Sequence, residues 1–269
     1  LLMRSATNLR RIGTSRTRLG EGIRYDAESD TVFWHDIPES RGFRQRGSEP
    51  ETEISLGPEA AFSCLLEDGR FLSGGCEGIY IDGHSSGVDF MSDAEVLNDG
   101  AVHPSGEFLV FGSRDKHEEE PCGQMWVLGR ELNRLPWTFT VFNGPAFSPD
   151  GETIYFADSP KRTIDAARVD VEAQSLSDRD TFAVVPAELG YPDGMICDNQ
   201  GGLWSAHWDG GCVTRYLPDR TVDFRIALPC ARATSLTFRG TTLYVTSAEN
   251  ENHRSRDDAD GGLFAFDTE

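Results

Sequence analysis

Along most of the chain, apolar positions alternate with polar ones in short runs separated by turns rich in Asp, Gly, Ser and Asn, and helical spacing is nearly absent. One unit recurs: a short strand, a polar turn and a second strand. It is seen in "EGIRYDAESDTVFWHDI" from Glu21, "FSCLLEDGRFLSGG" from Phe62, "NDGAVHPSGEFLVFGS" from Asn98, "NGPAFSPDGETIYFADS" from Asn143, "PDGMICDNQGGLWSAHW" from Pro192 and "TSLTFRGTTLYVTSA" from Thr234. Successive starts lie 41, 36, 45, 49 and 42 residues apart. A period of about 40–50 residues with several strands per period belongs to a β-propeller. Second strands such as "TVFWHDI", "TIYFADS" and "TLYVTSA" are apolar on both faces, as strands packed between two neighbouring sheets must be. Third strands follow in "RGFRQRG", "GQMWVLG", "TIDAARVD", "CVTRYL" and "GLFAFD". The pattern therefore predicts an all-β fold, a six-bladed propeller forming one domain over residues 1–269. The sixth unit reaches Glu269 with three strands, so part of residues 1–18 is expected to join the last blade as its outer strand and close the ring. A two-sheet sandwich is the competing architecture, but it gives no reason for six similar units.

One detail of the pattern points beyond the fold. Asn143-Gly144 is a strong hairpin signal, yet the hairpin turn of its unit falls later, at Ser148-Pro149-Asp150-Gly151. Asn143 therefore heads an inner strand, where its side chain can point into the central channel. Four of the six units open in this way, with an oxygen-bearing side chain beside glycine: Glu21-Gly22, Asn98-Asp99-Gly100, Asn143-Gly144 and Asp193-Gly194. Taken singly, such pairs are ordinary turn chemistry. Together they form an oxygen-rich set suited to a hard divalent cation such as Ca²⁺ rather than to a softer metal.

Composition narrows the partners. With 25 basic and 45 acidic residues the net charge is −20, which opposes binding to nucleic acid or to anionic membranes. The six cysteines (64, 76, 122, 197, 212 and 230) show neither CxxC pairs nor zinc spacing, and read as small buried hydrophobes. No apolar run approaches the ~20 residues of a membrane span, and the first residues make a poor signal peptide. A cytoplasmic monomer is expected, since a closed propeller leaves no free sheet edge.

The segments "LGEGIRYD", "LNDGAVHPSGEF", "FNGPAFSPDGETIYFADS", "YPDGMICDNQGGLWSAHWDGGCVTRY", "ATSLTF" with "LYVTSA", and "GGLFAFD" carry a further signal. In order and spacing, from about Leu19 to Asp267, the chain resembles the senescence-marker-protein-30/gluconolactonase family, which includes regucalcin and bacterial sugar lactonases. The resemblance implies a six-bladed propeller holding one divalent metal, with Glu21, Asn143 and Asp193 as ligands. Ca²⁺ leads, and Zn²⁺, Mn²⁺, Mg²⁺ or Fe²⁺ are alternatives. It further implies hydrolysis of a sugar lactone to the aldonic acid, with Asp193 as general base and Asn98 near substrate.

The sequence departs from the family at Val96, where many members carry a sugar-contacting arginine. Arg114 is the candidate to compensate, against the blander expectation that it pairs with Asp115 or Glu118. Within the acidic loop, Glu119 is the candidate for a substrate-binding glutamate, against a merely solvated loop. His35 and His207 read as satisfied core histidines, and Trp208 reads equally as a sugar-stacking face or as packing. No GxSxG elbow supports a serine hydrolase. Two other functions compete with the lactonase: a calcium- or ligand-binding propeller without turnover, and a related esterase or phosphotriesterase.

Overall fold

The computed structural model describes residues 3–66, 69–87, 91–250 and 259–268. Six sheets arise from six inner strands: Gly20–Asp26, Phe62–Leu65, Glu95–Val102, Phe142–Phe147, Tyr191–Cys197 and Ala233–Arg239. They define blades 1 to 6. Within each blade the chain meanders outward through antiparallel neighbours, and the six inner strands pack beside one another in a ring. The fold is the six-bladed propeller read from the repeat.

The both-faced apolar strands fall where that reading requires. In blade 4, Thr153–Asp158 sends Ile154 and Phe156 into a core shared with blade 3, and Tyr155 and Ala157 into one shared with blade 5. Similar cores join blades 2 and 3, 5 and 6, and 6 and 1. The expected third strands are present, for example Arg41–Arg46, Gly123–Leu128 and Leu263–Asp267. Fourth strands such as Leu132–Phe139 and Ser175–Val184 lie outermost, half exposed, where alternation is weaker.

The N-terminal segment divides between two blades. Thr7–Ile12 pairs antiparallel with Leu263–Asp267 at the outer edge of blade 6. Met3–Ser5 instead adds in parallel to Val222–Ala227, giving blade 5 a fifth strand. The sequence expectation had only the first of these. Three exposed residues without an apolar alternation carry no mark of the sheet they join. Among the described residues no helix is long and apolar enough to cross a membrane.

The turn puzzle resolves in the strand register. Ser148–Gly151 makes the hairpin, with Gly151 N–H donating to Ser148 O and Ser148 N–H to Thr153 O. Asn143-Gly144 instead makes a β-bulge, because pairing with Thr153–Asp158 slips between Asn143 and Ala146. Matching bulges occur between Glu21 and Arg24, Leu97 and Asp99, Pro192 and Met195, and Ala233 and Leu236. A bulge bends a strand and re-aims a side chain. Five of six inner strands therefore break regular pairing at the same level of the ring, and four of these breaks contain or adjoin the oxygen-bearing residues.

Candidate active site

The bulges open onto a cavity of about 440 Å³ at the N-terminal ends of the inner strands. Glu21, Asn98, Asn143 and Asp193 all line it, each from a different blade. The structure thus brings together residues separated by up to 172 positions in the chain.

Hydrogen bonds fix how the two amides present themselves. Asn98 Nδ2 donates to Phe142 O at 2.7 Å and to Asn143 Oδ1 at 2.8 Å. Asn143 Nδ2 donates to Ser159 Oγ at 2.9 Å, and Ser159 Oγ donates to Pro192 O at 2.7 Å. Carbonyl oxygens only accept, so Phe142 O dictates the orientation of Asn98, and Pro192 O dictates that of Ser159 and through it Asn143. Among the described residues nothing donates to Asn98 Oδ1, which is left for a ligand, and Asn143 Oδ1 keeps one lone pair.

Asp99 works beneath these amides. Its Oδ1 accepts from Gly100 N at 2.7 Å and its Oδ2 from Gly144 N at 2.8 Å, tying the bulge of blade 3 to that of blade 4. Gly144 has φ +73°, and a Cβ there would lie 2.6 Å from Asp193 O, so only glycine lets blades 4 and 5 approach this closely. Arg24, from blade 1, donates to Ile23 O and Gly100 O and lies 3.7 Å from Asp99 Oδ1. The sequence displayed Asp99 inside "NDG" but gave it no task. Ser159 and Arg24 were missed altogether, since neither belongs to a strand opening.

The electrostatics favour a cation. Burial, and then repulsion from Asp99, push the Glu21 carboxyl up to about 8. Burial pushes Asp193 well above the usual carboxylate range, and repulsion from Glu21 and Asp99 adds to it. Two carboxylates thus face one cavity with a third, Asp99, buried beneath it, and Arg24 is the attractive charge acting on Glu21 and Asp99. Among the described residues no three His, Cys, Asp or Glu side chains cluster as a metal site by themselves. The expected set has two carboxylates and one amide oxygen. Those oxygens, mutually repelling and held at fixed orientation, fit a hard divalent cation.

Residues 19–249 match the SMP-30/Gluconolactonase/LRE-like region. The chain belongs to this family. It is 32% identical to the pentonolactonase of Haloferax volcanii, covering 96% of this chain and 93% of that one. It is 31% identical to the L-arabinolactonase of Azospirillum brasilense, covering 96% and 91%. The crystal structure of the calcium-binding protein regucalcin from Agrobacterium tumefaciens superposes with a TM-score of 0.89 at 25% identity, covering 99% of this chain and 95% of that one.

The remaining candidates separate in this SMP-30/gluconolactonase-type cavity. Val96 and Arg114 are direct cross-strand partners in blade 3, and both line the cavity. The Arg114 guanidinium donates to Asp115 O and Lys116 O and sits 3.5 Å from Glu118. Arg114 thus pairs with Glu118, as the blander expectation had it, and it also borders the cavity. In the acidic loop it is Glu118, not Glu119, that lines the cavity. The cause is Asp115, whose Oδ2 accepts from the N–H groups of His117, Glu119 and Glu120 and wraps the loop around itself. Spacing alone could not foresee that hub.

His35 is buried with both ring nitrogens engaged, Nδ1 to Ala60 O and Nε2 to Ser63 Oγ, each at 2.9 Å. His207 is buried with Nδ1 on Leu189 O, while Nε2 has no partner among the described residues. Burial lowers both to about 4, so both rings are neutral near pH 7. Neither lines the cavity. The cysteines are free, and Cys76 at the cavity wall is held up to about 11 by burial and by Glu59, which makes it a poor nucleophile.

Proposed function

We propose that this protein hydrolyses a sugar lactone to the corresponding aldonic acid. The observation that carries the reading is the convergence of Glu21, Asn98, Asn143 and Asp193 from four blades on one cavity, with both amides held in fixed orientation. The likeness to a pentonolactonase and an L-arabinolactonase over nearly the whole chain supports it.

Glu21, Asn143 and Asp193 would hold a divalent cation, Ca²⁺ in first place. When bound, it would supply positive charge to the lactone carbonyl oxygen as that oxygen turns into an oxyanion. Asp193 would take a proton from the attacking water as the new C–O bond forms. It would return that proton to the ring oxygen as the ester C–O bond breaks, yielding the open-chain hydroxy acid. Burial and the neighbouring carboxylates raise this carboxyl, and a cation held beside it would act in the opposite direction. Asn98 offers its free Oδ1 to a substrate hydroxyl or to the water. Arg114, opposite Val96, would reach substrate from the adjacent strand.

A second reading, calcium binding without turnover, draws on the likeness to the calcium-binding regucalcin. Hydrolysis of a panel of five- and six-membered aldonolactones by wild type and Asp193→Asn separates the two. The lactonase reading expects turnover in wild type and a loss of roughly 10²-fold or more in kcat for the variant. Wild type that opens no lactone in the panel while binding calcium would favour the second reading.

A further inference from the structure

The upper wall of the cavity is unlike its base. Tyr191 and Trp208 are direct cross-strand partners at the top of blade 5, and both line the cavity. Each ring is covered by an arginine from outside: the Arg162 guanidinium lies 4.3 Å from the Tyr191 centroid, and that of Arg232 lies 4.6 Å from the Trp208 centroid. These arginines are themselves anchored. Arg162 Nε donates to Gly190 O at 3.2 Å, and Arg232 donates to Asp209 Oδ1 at 2.8 Å and to Glu249 O at 3.1 Å. Neither arginine lines the cavity. Gly190 has φ +71°, and a Cβ there would meet Trp208 O at 2.0 Å, so the backbone is shaped to bring this pair together.

Apolar packing between blades does not account for the pair. Neither ring belongs to the apolar cores on either side of blade 5. Among the described residues neither the Tyr191 hydroxyl nor the Trp208 indole N–H has a hydrogen-bond partner. Two rigid, braced rings with unspent polar groups on a cavity wall are suited to a ligand that is apolar on one face and hydroxylated at its edges. A sugar ring has that form. Tyr191 stands two residues before Asp193 on the same strand, about 6–7 Å along it toward the mouth. A carbonyl held at Asp193 would therefore put Tyr191 and Trp208 within reach of the carbon ring and its substituents.

We propose that Tyr191 and Trp208 form the wall that selects the substrate. The rings pack on the C–H face of a polyhydroxylated lactone, and the phenol hydroxyl and indole N–H bond its hydroxyl groups. This rests on the lactonase reading and adds a specificity determinant to it: a lactone bearing ring hydroxyls is preferred over an unsubstituted one.

The test compares wild type, Trp208→Ala, Trp208→Phe and Tyr191→Phe. Two quantities are read: steady-state kinetics on glucono-1,5-lactone and δ-valerolactone, and the Kd for D-glucono-1,5-lactam, which resists hydrolysis. Trp208→Ala should raise both the lactam Kd and the gluconolactone KM roughly tenfold, with kcat within about twofold. Trp208→Phe should recover much of that loss by restoring a ring. Tyr191→Phe should narrow the preference for gluconolactone over δ-valerolactone with little change in Tm. The wall is refuted if folded Trp208→Ala keeps lactam Kd and gluconolactone KM within twofold of wild type. Should Trp208→Ala fail to fold, an unchanged substrate preference in both phenylalanine variants overturns the proposal equally. Wild type that neither opens a lactone nor binds the lactam overturns the lactonase reading along with it.

Discussion

Asp99 shows how much of this site is decided one residue away from the groups that face the cavity. Its two oxygens each accept a backbone N–H, one from Gly100 and one from the bulge at Gly144. An amide in its place must turn an NH₂ toward one of those N–H groups. Asp99→Asn is therefore expected to cost about 1–3 kcal/mol of stability and to lower kcat/KM at least roughly tenfold by loosening Asn98 and Asn143. Urea unfolding and lactone kinetics on the same preparation check this, and unchanged kinetics would remove Asp99 from the support of the site. The four oxygen-bearing residues were legible because each stands beside glycine at a strand opening. Ser159, Arg24 and the choice of Glu118 over Glu119 were not, because they depend on which atoms meet after folding. A carboxylate such as Asp115 collects backbone donors that no spacing rule ranks.

At the level of strands and blades, alternation and period disclosed the architecture, since a blade's second strand must be apolar on both faces. Bulges were visible only as misplaced turn signals, because Asn-Gly reads alike whether it reverses a chain or kinks it. The parallel attachment of Met3–Ser5 left no trace, as it rests on backbone pairing and on one stacking contact, Arg4 over Phe224, that no sequence pattern announces. Packing between blades also sets a response to pH. His35 joins blade 1 to blade 2 through Ala60 and Ser63, and His207 lies buried in blade 5. Both titrate at about 4 when folded, against about 6.5 in an unfolded chain. Their neutral forms cost nothing above pH 6.5. As pH falls from there toward 4, the unfolded state gains protons first, and each histidine withdraws about 3 kcal/mol of stability. The raised Glu21 carboxyl acts in the opposite sense, losing stability as pH rises toward 8. The histidine contribution is isolated by comparing urea midpoints of wild type and His207→Gln at pH 7.5, 6 and 5. The variant should lose less stability between pH 7.5 and 5, and an equal loss in both would contradict the assignment.

For the molecule as a whole, the ring is a device for bringing distant residues to one level. Glu21 and Asp193 belong to blades 1 and 5, and no local element could oppose them. The arrangement concentrates negative charge inside a chain that already carries −20 overall, which destabilises an empty site and favours any cation able to enter it. Family membership agrees with the propeller and with lactone chemistry, while the tie between cation and catalysis is the central claim of the proposed mechanism. Its most direct test is lactone turnover by protein stripped with a chelator, before and after Ca²⁺, Zn²⁺, Mn²⁺, Mg²⁺ or Fe²⁺ is restored. The proposed roles of Glu21, Asn143 and Asp193 predict negligible turnover after stripping and recovery with at least one of these ions. Undiminished turnover by fully stripped protein would contradict them.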